Sequence, residues 1–179
     1  SFSQTKDGVV TNLNNIARFD GANWSALPHN GLYSQAYVLA VSGTDLYVGG
    51  GFSQTNDALV HLNHIAKFDG ANWSALANNG LNNSVVALAV SGSDLYVGGV
   101  FVQTGDGLVT NLNHIAKFSS GAWSALPHTG LNDTVNALAV SGSDLYVGCA
   151  FVQTGDGLVT NLNHIAKFSS GAWSAMPHT

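Results

Sequence analysis

A block of about fifty residues recurs along this 179-residue chain, and the period limits what the chain can fold into. Asp-Leu-Tyr-Val-Gly stands at 45–49, 94–98 and 144–148, at intervals of 49 and 50 residues. Trp-Ser-Ala begins at Trp24, Trp73, Trp123 and Trp173, at intervals of 49, 50 and 50. Such a unit buries its apolar faces against the copies beside it, so the period marks a repeat architecture. A feature present in one copy is present in nearly all. Several equivalent surfaces are therefore expected rather than one asymmetric catalytic cleft.

The copies are not equally alike. Residues 101–128 and 151–178 differ only at Leu126 and Met176. The second copy is one residue shorter between Phe52 and His64, and loops absorb such deletions most easily. Only 8% of residues are charged, all ten acidic residues are Asp, and Lys plus Arg number five, so strong exposed helix formers are scarce. The 21 Gly residues and the Ser, Asn and Thr between apolar runs are turn formers. An all-β chain of extracellular type is expected.

Each copy reads as four short strands. In the last, Val135–Ser141 alternates, with Leu138 and Val140 on one face and Ala137 and Ala139 on the other. Gly142-Ser143-Asp144 is hairpin chemistry. The second strand starts at Leu145-Tyr146-Val147 and runs toward Phe151; the third is His164–Phe168, and the fourth Ala172–Met176, before Pro177 ends pairing. Four sequential strands per 40–50 residues describe a β-propeller blade, with the small-residue first strand nearest the axis and Trp as a wedge between blades. A β-solenoid is the alternative. Complete blades fall at 35–77, 85–127 and 135–177, and residues 1–28 make a half-blade, all within one repeat domain over 1–179.

The segments Asp45–Phe52, Ile65–Gly70 and Trp73–Leu76 resemble a Kelch-type repeat, and Ala-Leu-Ala-Val-Ser-Gly-Ser-Asp-Leu-Tyr-Val-Gly-Gly is similar to repeats of large secreted bacterial proteins. The resemblance covers the whole chain and implies a propeller of four-stranded blades, with no particular activity. Cys149, where the other copies have Gly50 and Gly99, and the long loops between strands two and three depart from the pattern.

Three and a half blades do not close a ring, since propellers need about four or more. Exposed blade faces and strand edges invite association. Continuation in a longer chain, several chains in one ring, or end-to-end joining into a filament would resolve this. The opening Ser-Phe-Ser-Gln, without Met, is expected of a processed, excised or incompletely observed chain.

The net charge of −5 and the absence of a Lys/Arg cluster argue against nucleic acid. No apolar run approaches the roughly 20 residues of a membrane-spanning helix. Cys149 is the sole cysteine, so no intrachain disulfide forms; it is expected as a small buried residue. The loop from Thr104 to His114 offers Asp106, Asn111 and His114, but one carboxylate without Glu is a poor calcium shell, and turn formation explains it. His64, His114 and His164 alternate with Asn15, and His29, His128 and His178 with Asn78, so a hydrogen bond explains them better than zinc. No nucleophile elbow or carboxylate pair for hydrolysis is legible.

The chain is thus expected to be a non-enzymatic extracellular or cell-surface scaffold for assembly or protein interaction, without cofactor or metal. The alternative is a multivalent lectin whose glycan platform would use Tyr47, Tyr96, Tyr146, Asp106, Asn111 and His114; for the four Trp residues, core packing is the preferred reading. Among the Asn-x-Ser/Thr sequons at Asn23, Asn72, Asn82 and Asn132, the loop residues Asn82 and Asn132 are the ones open to glycosylation.

Overall fold

The computed structural model describes residues 1–177. All regular structure beyond single 3₁₀ turns is β-strand. A short pair, β1 (Ala17–Phe19) and β2 (Trp24–Ala26), precedes three four-stranded antiparallel meanders. The first meander holds β3 (Ala36–Ser42), β4 (Asp45–Gly50), β5 (Ile65–Phe68) and β6 (Trp73–Ala75). The second holds β7 (Val85–Ser91), β8 (Asp94–Gly99), β9 (Ile115–Ser119) and β10 (Ala122–Ala125). The third holds β11 (Val135–Ser141), β12 (Asp144–Cys149), β13 (Ile165–Ser169) and β14 (Ala172–Ala175). No helix among the described residues is long and apolar enough to cross a membrane.

Local chemistry sets each element. The first two strands of every meander join through two residues whose first is Gly at positive φ (Gly43, Gly92, Gly142), the signature of a type II′ turn. The register is the same in all three: Leu39 faces Val48, Leu88 faces Val97 and Leu138 faces Val147. The third strand begins at Ile165 rather than His164. His164 takes a left-handed conformation, as do His64 and His114, and bends the chain into the strand.

The meanders pack face to face in sequence order, and the core lies between them. Val38 and Ala40 of the first meander pack against the cluster containing Leu88, Leu95, Val97 and Trp123 of the second. Ala89 and Tyr96 of the second pack with Leu138, Leu145, Val147 and Trp173 of the third. Ile16 and Leu27 beside the short pair pack on Val48, Ala66 and Trp73. The alternating strand pattern thus does double duty, with one face turned to the preceding unit and one to the next. The fully buried Phe52, Phe101 and Phe151 mark the same position in each meander.

Candidate functional site

The feature that recurs with most chemistry is the junction between units. Trp73 Nε1 donates to Pro28 O at 3.1 Å, Trp123 Nε1 to Ala77 O at 2.9 Å and Trp173 Nε1 to Pro127 O at 3.0 Å. Each acceptor lies in the 3₁₀ turn that closes the preceding unit. Each of these indoles is about 5–6% exposed and lies against the Phe of the neighbouring strand, with ring centroids 4.9–5.0 Å apart. Trp24 keeps its Phe19 contact but is 49% exposed, since no described unit precedes it.

A second bond crosses the same junction. His29 Nδ1 lies 2.8 Å from Asp57 Oδ2, and His128 Nδ1 lies 3.1 Å from Asp156 Oδ2. Where the sequence has Asn78, its Nδ2 donates to Asp106 Oδ2 at 3.1 Å. Asn and His are interchangeable here because both donate a hydrogen bond to the same carboxylate. His178, the fourth member of this series, lies outside the described residues.

The carboxylate is positioned by its own loop. Thr104, fully buried, donates from Oγ1 to Asp106 Oδ1 at 2.8 Å and accepts from the Val109 amide at 3.1 Å; Asp106 Oδ1 also accepts from the Leu108 amide at 3.0 Å. Thr55 with Asp57 and Thr154 with Asp156 repeat the arrangement. The Leu108 amide bond, against some burial cost and with help from Thr104 and Asn78, holds the Asp106 carboxyl below the usual range. Burial opposes the charge of Asp57, yet bonds from His29, the Leu59 amide and Thr55 still depress its pKa. Both oxygens of Asp106 therefore have protein donors.

Asn82 and Asn132 are exposed, and each forms a further clamp. Asn82 Oδ1 accepts the Val102 and Gln103 amides at 3.0 and 3.3 Å, and Asn132 Oδ1 accepts those of Val152 and Gln153 at 3.0 and 3.1 Å. The sequon reading missed this role. Its only sequence signal is recurrence one residue after Leu81 and Leu131.

The proposed platform residues do not form one constellation. Tyr47, Tyr96 and Tyr146 occupy the middle of β4, β8 and β12, opposite Lys67, Lys117 and Lys167. Tyr47 and Tyr96 are half-buried against the clusters between meanders. Asn111 is exposed at a left-handed turn, and His114 is half-buried. No side-chain hydrogen bond joins Tyr96 to Asp106, Asn111 or His114. Tyr47 does line a cleft of about 310 Å³ with Lys67, Ala77 and Phe118.

Three ion pairs tie the second strand to the third: Lys67–Asp45 at 3.1 Å, and Lys117–Asp94 and Lys167–Asp144 at 3.3 Å. Hydrogen bonds from Ser119 and Ser169 are the leading cause of the lowered pKa of Asp94 and Asp144. Cys149, expected to be buried, is half-buried, because no described unit covers β12; Asn136 Nδ2 donates to its Sγ.

No family model matches the chain, and no curated protein matches it. Among solved structures it is similar to the crystal structure of a computationally designed protein, Ika8, at 12% identity and a TM-score of 0.33. That match covers 78% of this chain and 57% of the designed one, so the chain spans little more than half the length of the protein it matches.

Proposed function

We propose that the chain is a non-enzymatic repeat scaffold for structural assembly or protein interaction, built as an arc of Kelch-like propeller blades. The observation that carries this reading is the repetition of one junction. The same Trp-to-carbonyl bond and the same donor-to-Asp bond join every consecutive pair of units. Stability is then a sum over units and the contacts between neighbours, which suits growth by addition. Support for blades comes from the four-stranded meanders and the Ala-rich first strands facing neighbouring units.

The two ends of the row present opposite faces of that junction. At one, Phe19, Trp24, Leu39 and Val41 are about half exposed or more. At the other, Ala137, Ala139 and Ile165 are exposed. Head-to-tail contact between such faces is heterologous and extends without closing unless the rotation completes a ring. An extracellular or cell-surface setting accords with the low charge and the exposed sequons. Sedimentation of the 18.5 kDa chain over a range of concentrations tests the reading. A mass that rises with concentration is expected; a fixed monomer throughout overturns self-assembly.

The cleft holding Tyr47, Lys67 and Phe118 favours a second reading, a glycan-binding repeat. Silence on a glycan array and in calorimetry removes it.

A further inference from the structure

The N-terminal half-unit presents one unpaired strand edge among the described residues. Its β1 pairs with β2 on one side, but no strand among the described residues pairs with it where β4, β8 and β12 pair with the third strand of the complete units. The Asp20 amide donates to Asn23 O, so alternation gives the backbone of Arg18 to β2 and turns the amides of Ala17 and Phe19 to the open side. In the first meander this side is occupied: Ala66 faces Val48 and Phe68 faces Leu46.

Room for a strand is present beside that edge. Clefts of about 280 and 300 Å³ both include Ile16, Ala17 and Leu39. Below them lies the uncovered face of β3, with Tyr37, Leu39 and Val41 51, 55 and 65% exposed. The equivalent Leu88 is only 9% exposed, packed with Val38 and Ala40. Arg18 holds the position of Lys67, Lys117 and Lys167. Each of those pairs with an Asp of its second strand, while Arg18 has no ion pair among the described residues.

We infer that this edge is an acceptor for a two-stranded β-hairpin with the sequence chemistry of the chain's own first and second strands, as in residues 85–99. The register follows from the occupied copies. Val97 faces Ala17, Tyr96 faces Arg18 and Leu95 faces Phe19, as they face Ala116, Lys117 and Phe118 in the second meander. Asp94 then meets Arg18 as it meets Lys117. Ala87 and Ala89 cover Leu39 and Val41, as Val38 and Ala40 cover Leu88 and Val90. Gly98 leaves room for Ala36, as Gly49 does for Val85. Main-chain bonds supply affinity and the alternate side chains supply selectivity. The inference rests on the scaffold reading for the idea that added units repeat the existing junction, and it names what the first addition must bring.

The test uses the full 179-residue chain and a synthetic peptide of residues 83–99, followed by amide hydrogen exchange. Exchange at Ala17 and Phe19 is expected to slow about tenfold or more, with Ala66 and Phe68 unchanged. An isolated hairpin is marginally stable in water, so the same residues are also fused directly before Ser1. Protection in either form supports the acceptor; absence of protection in both overturns it. Leu39→Asp, at an exposed position, is expected to abolish protection, whereas Leu108→Asp in a remote exposed loop is not. Equal protection in the Leu39→Asp variant also overturns the inference. Sedimentation of the unmodified chain decides the assembly reading separately, so either can fail alone.

Discussion

At the residue scale, the same side chain has different weight according to what lies beside it. Trp123 is buried and bonded to Ala77 O, whereas Trp24 is half exposed. Trp123→Phe should cost about 1 kcal/mol through the lost hydrogen bond. Trp123→Ala should cost about 3–5 kcal/mol, and Trp24→Ala about 1 kcal/mol or less. Urea denaturation of the three variants checks the order. His64 gives a pH signature. Burial, the leading cause, lowers its pKa, only partly offset by the nearby Gly50 backbone, so the folded chain disfavours the charged ring. On acidification the unfolded chain takes up the proton first, so His64 costs stability as pH falls below about 6.5, the ordinary His value. His64→Asn, which places there the residue found at Asn15, should flatten the stability profile as pH falls below about 6.5. Thermal melts across that range measure it. The exchange of Asn for His between copies was a legible sign of a shared hydrogen bond at His29, Asn78 and His128. Their partner Asp57, Asp106 or Asp156, 28 residues further on, was not legible, because only folding brings the turn of one unit to the loop of the next.

At the scale of elements, the Gly near the end of the second strand is a contact device wherever a further meander follows, as at Gly49 and Gly98. A Cβ on Gly98 would lie 2.5 Å from Val135 Cγ1 of the following meander and 3.3 Å from Ala87 Cβ. A Cβ on Gly148 would find nothing closer than 3.7 Å. Gly98→Ala should therefore destabilise by about 1–3 kcal/mol through overpacking, and Gly148→Ala should stay within about 0.5 kcal/mol. Denaturant midpoints of the pair check this. The loop of Thr104 and Asp106 is a similarly local device. Thr104→Val keeps the shape but removes the acceptor of the Val109 amide and the hydroxyl donor to Asp106, at a cost of about 1–3 kcal/mol. The four strands and their turns were readable because period-2 alternation and Gly-Ser or Ser-Gly turns are local signals. The clamp roles of Asn82 and Asn132 were not, because a sequon and a backbone clamp use the same amide side chain.

At the scale of the molecule, the middle meander has neighbours on both sides and the outer ones do not. Ala87, Leu88 and Ala89 of β7 are buried in succession, whereas Tyr37, Leu39 and Val41 of β3 and Ala137 and Ala139 of β11 are exposed. Hydrogen exchange should be slowest in β7 and β8 and fastest in β1 and β2, since opening a terminal unit breaks one junction and opening the central one breaks two. Uniform protection across the units would contradict nearest-neighbour stacking. The period, the order of strands within each unit and the apolar strand faces were legible from residues alone, because backbone pairing within a meander and the alternation of side chains are set by residues close along the chain. Packing between units settled which face meets which neighbour, that Trp73, Trp123 and Trp173 are bonded junction pieces while Trp24 is half exposed, and that β1 pairs on one side among the described residues. Three complete units and a half-unit carry similar local signals; what distinguishes them most is the surface each one touches, and that is a property of position in the row.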